Sequence, residues 1–111
     1  GMVAPVLVHT TGQLEEIDAT GLPLGIFPEA RYDELTLQLD HDDILLLATD
    51  GITEARRDHE FLDMDGLKRL AREGMAKGTL EALGQTILNG ARAFAGGHLQ
   101  DDACLLLVRR R

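Results

Sequence analysis

Hydrophobic positions recur along this chain in two rhythms. Val3–His9 is apolar and β-branched, which predicts a strand; Thr10-Thr11-Gly12-Gln13 then turns into a short second strand at Leu14–Ile17, making a hairpin. Gly21-Leu22-Pro23-Leu24-Gly25 reads as a loop whose two leucines pack inward. Glu34–Leu39 alternates, with Leu35, Leu37 and Leu39 on one side and Glu34, Thr36 and Gln38 on the other, the pattern of a half-buried strand. Asp40-His41-Asp42-Asp43 is a polar turn. Ile44–Thr49 is apolar without alternation, which predicts a strand covered on both faces. Joined by so short a turn, Glu34–Leu39 and Ile44–Thr49 are expected to form an antiparallel hairpin.

The rhythm then changes to helical spacing. Leu67, Leu70, Ala71 and Met75 mark one helix, with Asp63 or Asp65 as its N-cap and Gly78 as its stop. Thr79 caps a second helix, whose apolar face is Leu80, Leu83, Ile87, Leu88, Ala91 and Phe94 and which ends at Gly96-Gly97. Gly84 and Gly90 each lower its propensity by about 1 kcal/mol relative to alanine. Ala103–Arg109 is again apolar and strand-like. The predicted order β-β-β-β-α-α-β implies an α+β fold, an antiparallel β-sheet with helices packed on one face.

Composition narrows the function. An apolar fraction of 44% in 111 residues supports a buried core rather than disorder. The formal charge of −8 argues against nucleic acid and against anionic membrane surfaces as partners. Arg109–Arg111, the one basic cluster, reads as a solvated end. A single cysteine, Cys104, precludes an intrachain disulfide and fits a cytoplasmic setting. No apolar run approaches the ~18 residues of a membrane helix. Gly1 reads as a tag remnant before Met2.

The candidate chemistry lies at strand ends. Asp50 directly follows Ile44–Thr49 and precedes Gly51, while Asp101 and Asp102 directly precede Ala103–Arg109. If these strands are antiparallel neighbours, Asp50 and Asp101 approach at one sheet edge, within about 7 Å for ligand distances of ~2.0–2.6 Å. Carboxylates gathered so repel unless a cation neutralises them, and Mg²⁺ or Mn²⁺ prefers such oxygens. Gly51 would permit the sharp turn that aims Asp50. An Asp-Gly after a strand is also an ordinary turn, and an Asp-Asp before one an ordinary solvated pair; the pattern alone leaves both readings open. His41 among Asp40, Asp42 and Asp43 reads as a turn rather than a metal cluster, and His9, His59 and His98 lack ligand spacing. Glu54 and Arg56 fit either a site margin or a charged helix start. Cys104, followed by leucines, is expected to be an inert core thiol. No local nucleophile signature or phosphate-cradling glycine loop is present.

Three segments carry a family resemblance: Gly21–Gly25 (GLPLG), Leu45–Arg56 (LLLATDGITEAR) and Gln100–Val108 (QDDACLLLV). Through them the chain, from about Val3 to Arg109, resembles the C-terminal half of a PPM-type metal-dependent serine/threonine phosphatase domain of the stage II sporulation protein E-like branch. The resemblance implies half of an α-β-β-α sandwich. It also implies two Mn²⁺ or Mg²⁺ ions in the complete domain, and a metal-activated water that attacks phosphorus. Its implied partner is a phosphoprotein bearing phosphoserine or phosphothreonine, such as an anti-sigma-factor antagonist. Asp50 and Asp101 match metal-binding positions, Asp102 is the polar neighbour, and Gly51 and Glu54 lie near the site; no catalytic residue beyond the metal ligands is implied. Two residues depart from the family pattern, Asp42 where glycine is usual and Cys104 where threonine is usual.

Nothing in the chain matches the N-terminal half that carries the family's first metal-binding Asp-Gly. Residues 1–111 are therefore expected to form a single partial phosphatase-like domain, inactive alone. The alternative is a truncated, catalytically inactive module acting in protein–protein interaction. With helices available for one face only, the two apolar strands are expected to leave an apolar face that the missing N-terminal half, or self-association, would cover.

Overall fold

The computed structural model describes residues 3–17 and 39–111. Its elements follow the chain as β1 (Val6–Val8), β2 (Leu14–Glu16), β3 (Ile44–Ala48), α1 (Asp50–Thr53), β4 (Arg56–Arg57), β5 (Glu60–Phe61), α2 (Asp63–Met75), α3 (Leu80–Phe94) and β6 (Leu105–Arg109). The first hairpin forms as expected, with Val6 opposite Glu16 and Val8 opposite Leu14, and Gly12 turns it at φ +90°. β1 and β6 flank β3, both antiparallel, so the strand order is β2-β1-β3-β6.

The hairpin expected between Glu34–Leu39 and Ile44–Thr49 falls on residues that, but for Leu39, lie outside the described ones; among the described residues the partners of β3 are β1 and β6. Both edges of β3 are already occupied, β1 pairing with Ile44–Leu46 and Val3 N–H donating to the Ala48 carbonyl at 3.0 Å. The loop read at Gly21–Gly25 lies outside the described residues as well. α1 and the β4–β5 hairpin were not anticipated. They are too short for a period to show, and the two-residue turn between β4 and β5 begins with Asp58 at φ 55°, a conformation Asp adopts more readily than most residues.

The helices follow their periodicity. Thr79 caps α3, its hydroxyl accepting from Ala82 N–H at 3.1 Å. Neither Asp63 nor Asp65 caps α2. The N-cap position is Leu62, without a side-chain cap, and both carboxylates stand in the first turn, where the helix dipole favours them. α3 ends in Gly96 and Gly97 at φ 78° and 108°, and Gly97 N–H returns to the Arg92 carbonyl at 2.8 Å. Gly90 has a packing reason: a Cβ there would collide with Leu70 Cδ2 on α2 and stand 2.9 Å from its Cδ1. At Gly74 the obstacle includes backbone, since its Cβ would come within 2.9 Å of the Leu83 Cα. These glycines let α2 and α3 approach closely, which offsets their low propensity.

The core lies between the sheet and this helix pair. Val6, Val8, Ile44, Leu46 and Ala48 meet Leu67, Leu70, Ala71, Leu83, Ile87 and Ala91. On the other face Leu45 and Leu47 are half-buried, while Leu106 and Val108 are 54% and 44% exposed. β3 is thus fully covered on one face only, where cover on both was expected. Cys104 is exposed rather than buried, because its side chain shares the outward face of Leu106 and Val108.

At the end of the sheet where β3 begins, Asp43 is a buried hub, 2% exposed. Its carboxylate accepts from Asp40 N–H at 3.0 Å and lies 3.1 Å from His9 Nδ1, while His9 Nε2 lies 3.3 Å from Glu15. The bond to Glu15 holds the His9 pKa above its ordinary 6.5 against partial desolvation, and Asp43 adds to the rise. Burial pushes the Asp43 carboxyl up, but bonds from Asp40 N–H, His9 and Thr10 N–H outweigh it and leave it below its ordinary 3.8.

Two outcomes follow from these contacts. Gly74→Ala should lower unfolding stability in urea by about 1–3 kcal/mol, because backbone rather than a flexible tip blocks the new methyl. Protonated His9 is favoured by the folded state, so its contribution is complete below pH 6.5 and fades as pH rises through the raised value. The Asp43 contribution is complete above 3.8 and fades as pH falls through the lowered value. The urea midpoint should therefore be highest between those limits, and His9→Ala should remove the alkaline decline.

Candidate metal-binding edge of the sheet

The β3–β6 ladder runs from Ile44↔Arg109 to Ala48↔Leu105, and Thr49 extends it by one step. Thr49 N–H donates to the Cys104 carbonyl at 3.1 Å, and Cys104 N–H donates to Thr49 Oγ1 at 2.9 Å. With its hydroxyl so engaged, Thr49 occupies the N-cap of α1 without capping it. The Thr49–Cys104 clasp was not anticipated; the Thr-Asp-Gly of residues 49–51 was its only sequence signal.

Asp50 and Gly51 begin α1 directly beside the residues that precede β6. A Cβ on Gly51 would collide with the Asp102 carbonyl and lie 3.4 Å from the Ala103 Cα. The need for glycine at 51 is therefore close approach to β6, not the sharp turn expected. Asp50 is half-buried, and its backbone carbonyl accepts from Glu54 N–H at 2.8 Å. Asp101 and Asp102 are exposed. Asp101 lines an open cleft of about 300 Å³ with Glu54, Arg56, Phe61 and Gln100. Arg56 donates to Gln100 Oε1 across it at 3.4 Å. Arg57, beside it, lies over the Phe94 ring at 4.7 Å and donates to the Phe94 carbonyl at 3.3 Å, fixing β4 to α3.

The antiparallel adjacency of the two strand ends is as expected, and it sets Asp50–Gly51 against Asp102–Ala103. Glu54 and Asp101 share the cleft. His41, His59 and His98 are exposed, and in the turn at Asp40–Asp43 the Asp43 carboxylate accepts from Asp40 N–H. Asp50, Asp101 and Asp102 offer the oxygen donors a hard divalent ion takes. Among the described residues, however, no three His, Cys, Asp or Glu side chains gather as a metal site requires. The donor chemistry fits Mn²⁺ or Mg²⁺; the number of ligands falls short of a closed shell.

The antiparallel sheet with helices on one face matches part of the fold of PP2C-type phosphatase domains. The phosphatase domain of SpoIIE from Bacillus subtilis with a fragment of its regulatory domain superimposes with TM-score 0.74, at 24% identity, over 96% of this chain and 31% of that one. The same phosphatase domain presoaked with Mn gives 0.65 at 23% identity, over 97% and 46%. The profile of the stage II sporulation protein E (SpoIIE) family matches residues 1–111, and the chain belongs to that family. Phosphoserine phosphatase RsbU of Bacillus subtilis (strain 168) is 30% identical over 96 residues, 86% of this chain and 28% of RsbU. Stage II sporulation protein E of the same organism is 25% identical over 105 residues, 95% of this chain and 12% of that protein. The chain thus spans less than a third of either relative. No helix among the described residues is long and apolar enough to cross a membrane.

Gly51→Ala should drive α1 from β6 and cost about 1–3 kcal/mol of stability in urea. Gly84→Ala, whose Cβ would meet only Leu107 Cδ1 at an ordinary 3.5 Å, should be neutral or stabilising in the same titration.

Proposed function

We propose that residues 1–111 are the C-terminal part of a single phosphatase domain, acting in the cytoplasm on phosphoserine or phosphothreonine of a bacterial regulatory protein. An anti-sigma-factor antagonist is the substrate type the family resemblance implies. The observation that carries this reading is the β3–β6 ladder, which sets Asp50–Gly51 of α1 against Asp102–Ala103 at one sheet end. The activity in the name of RsbU supports the substrate class.

On this reading Asp50 and Asp101 hold Mn²⁺ or Mg²⁺, with Asp102 as an additional ligand. Such ions, when bound, supply water activation and stabilise charge at phosphorus. The rest of the chain does positioning work. Gly51 lets α1 lie against β6, Thr49 fastens the two strand ends, and Glu54, Arg56, Phe61 and Gln100 shape the cleft beside Asp101.

Three carboxylates are too few to hold two ions ~3.5–4 Å apart around one water. The chain alone is therefore inactive, and the N-terminal half of the domain completes the ligand set. A second reading, an inactive module that binds a protein partner, is favoured by the lack of a three-ligand group among the described residues.

Hydrolysis of p-nitrophenyl phosphate with Mn²⁺ tests both. The 111-residue chain should give no turnover above background. The domain restored with its N-terminal half should be active, and Asp50→Ala or Asp101→Ala should lower its rate at least ~100-fold, as expected when metal-centred charge stabilisation is lost. Turnover by the short chain that Asp50→Ala abolishes would refute its inactivity. A restored domain that stays inert would favour the interaction module.

A further inference from the structure

The last strand is complementary to itself. From Asp101 to Arg111 the sequence runs acidic, apolar, basic: Asp101-Asp102, then Ala103 to Val108, then Arg109-Arg110-Arg111. β6 is an edge strand, with β3 on one side and no strand on the other among the described residues. The ladder fixes which peptide groups face that open side. Cys104 accepts from Thr49 and Arg110 donates to Asp43, each at 3.1 Å. By antiparallel alternation, Leu106 and Val108 also direct their peptide groups to β3, whereas Leu105, Leu107 and Arg109 direct theirs outward.

We propose that two copies of this chain pair through β6, antiparallel, about a two-fold axis at Leu106. Four strands from each copy then form one continuous sheet. In this register Leu105 hydrogen-bonds with Leu107 of the second copy, and Ala103 with its Arg109, so every ladder bond uses an outward peptide group. On the outer face Leu106 meets its own equivalent, Cys104 meets Val108, and Asp102 meets Arg110. On the helix face Leu105 meets Leu107, and Asp101 meets Arg111. Each acidic residue thus faces a basic one.

Neighbouring registers lose this match. A two-fold at Leu107 sets Cys104 against Arg110 and carries Asp101 and Asp102 past the three arginines; one at Leu105 sets Asp102 against Val108. A slip of one residue directs peptide groups away from their partners. Arg110 already donates to the Leu39 carbonyl at 2.7 Å, and a guanidinium has further donors for a carboxylate.

Two features of the same edge fit a second copy. Leu106 and Val108 are 54% and 44% exposed. A groove of about 390 Å³ between α3 and β6, lined by Leu80, Gly84, Leu88, Leu105 and Leu107, follows the edge. The two-fold brings the two grooves together, so each copy closes the apolar wall of the other.

Light scattering on the 111-residue chain should show a dimer whose affinity falls as salt rises. Asp101→Arg and Arg111→Glu should each weaken self-association at least about tenfold, since each places like charges opposite one another. An equimolar mixture of the two variants should dimerise again, because the heterodimer restores both opposite-charge pairs. Under mild oxidation Val108→Cys should form two intersubunit disulfides with native Cys104, whereas Arg110→Cys should not. A wild-type chain that stays monomeric at high concentration would overturn the proposal. So would variants that fail to complement, or cross-linking through Arg110→Cys in place of Val108→Cys.

Discussion

The pairing of β3 with β6 holds the rest of the structure in place. It joins residues about sixty positions apart in sequence, and it is fastened at both ends: by Thr49 and Cys104 where α1 begins, and by Asp43 and Arg110 at the other end. Because α2 and α3 lie between these strands in the chain, closing the ladder also fixes where the helices can sit. They return across one face of the sheet, which buries Ile44, Leu46 and Ala48 and leaves Leu45 and Leu47 on the far side. The position of Gly51 beside Asp102 follows from the same register, and a slip of one residue would turn every side chain of β6 to the opposite face.

One-sided cover explains the unusual surface. Buried strands in a two-layer unit normally alternate apolar and polar residues. β3 and β6 do not, so their second apolar set has no water-preferring chemistry. β3 is shielded in part by its neighbours, whereas β6 at the edge exposes Leu106 and Val108. Its flanking charges, acidic before and basic after, are the type of feature that limits indiscriminate edge pairing while permitting one register.

Much of this was legible in residue patterns. The Thr10–Gln13 hairpin, the Thr79 cap and the Gly96-Gly97 stop each rest on short-range chemistry, and each stands where expected. So do the inward faces of α2 and α3, which follow from helical spacing. What was not legible depends on contacts distant in sequence. Among the described residues β3 takes its partners from β1 and from residues 105–109, pairings that no local pattern announced. Cys104 looked buried because it begins a leucine run, yet pleat parity turned it outward. Gly51 looked like a turn glycine, and only its approach to the Asp102 backbone revealed the real constraint. The buried role of Asp43 in a run of acidic turn residues had no local signal at all, since three of the four look alike and tertiary partners select one.

Folding and chemistry have different boundaries in this chain. The core is a seam between sheet and helices, and both sides of that seam are encoded within residues 3–111. Val6, Val8 and the inward residues of β3 find Leu67, Leu83 and Ile87 without help from any further layer. The candidate metal edge lies instead at the end of the sheet, where carboxylates from two strands meet open solvent. An ion there takes six or more oxygens in most proteins, and the strand ends present Asp50, Asp101 and Asp102. A chain with this division can complete its core and set these carboxylates at the sheet end, whatever becomes of their coordination chemistry. Hydrophobic burial depends on paired surfaces, which the sheet and helices supply; a metal centre depends on a count of ligands, and among the described residues no three gather.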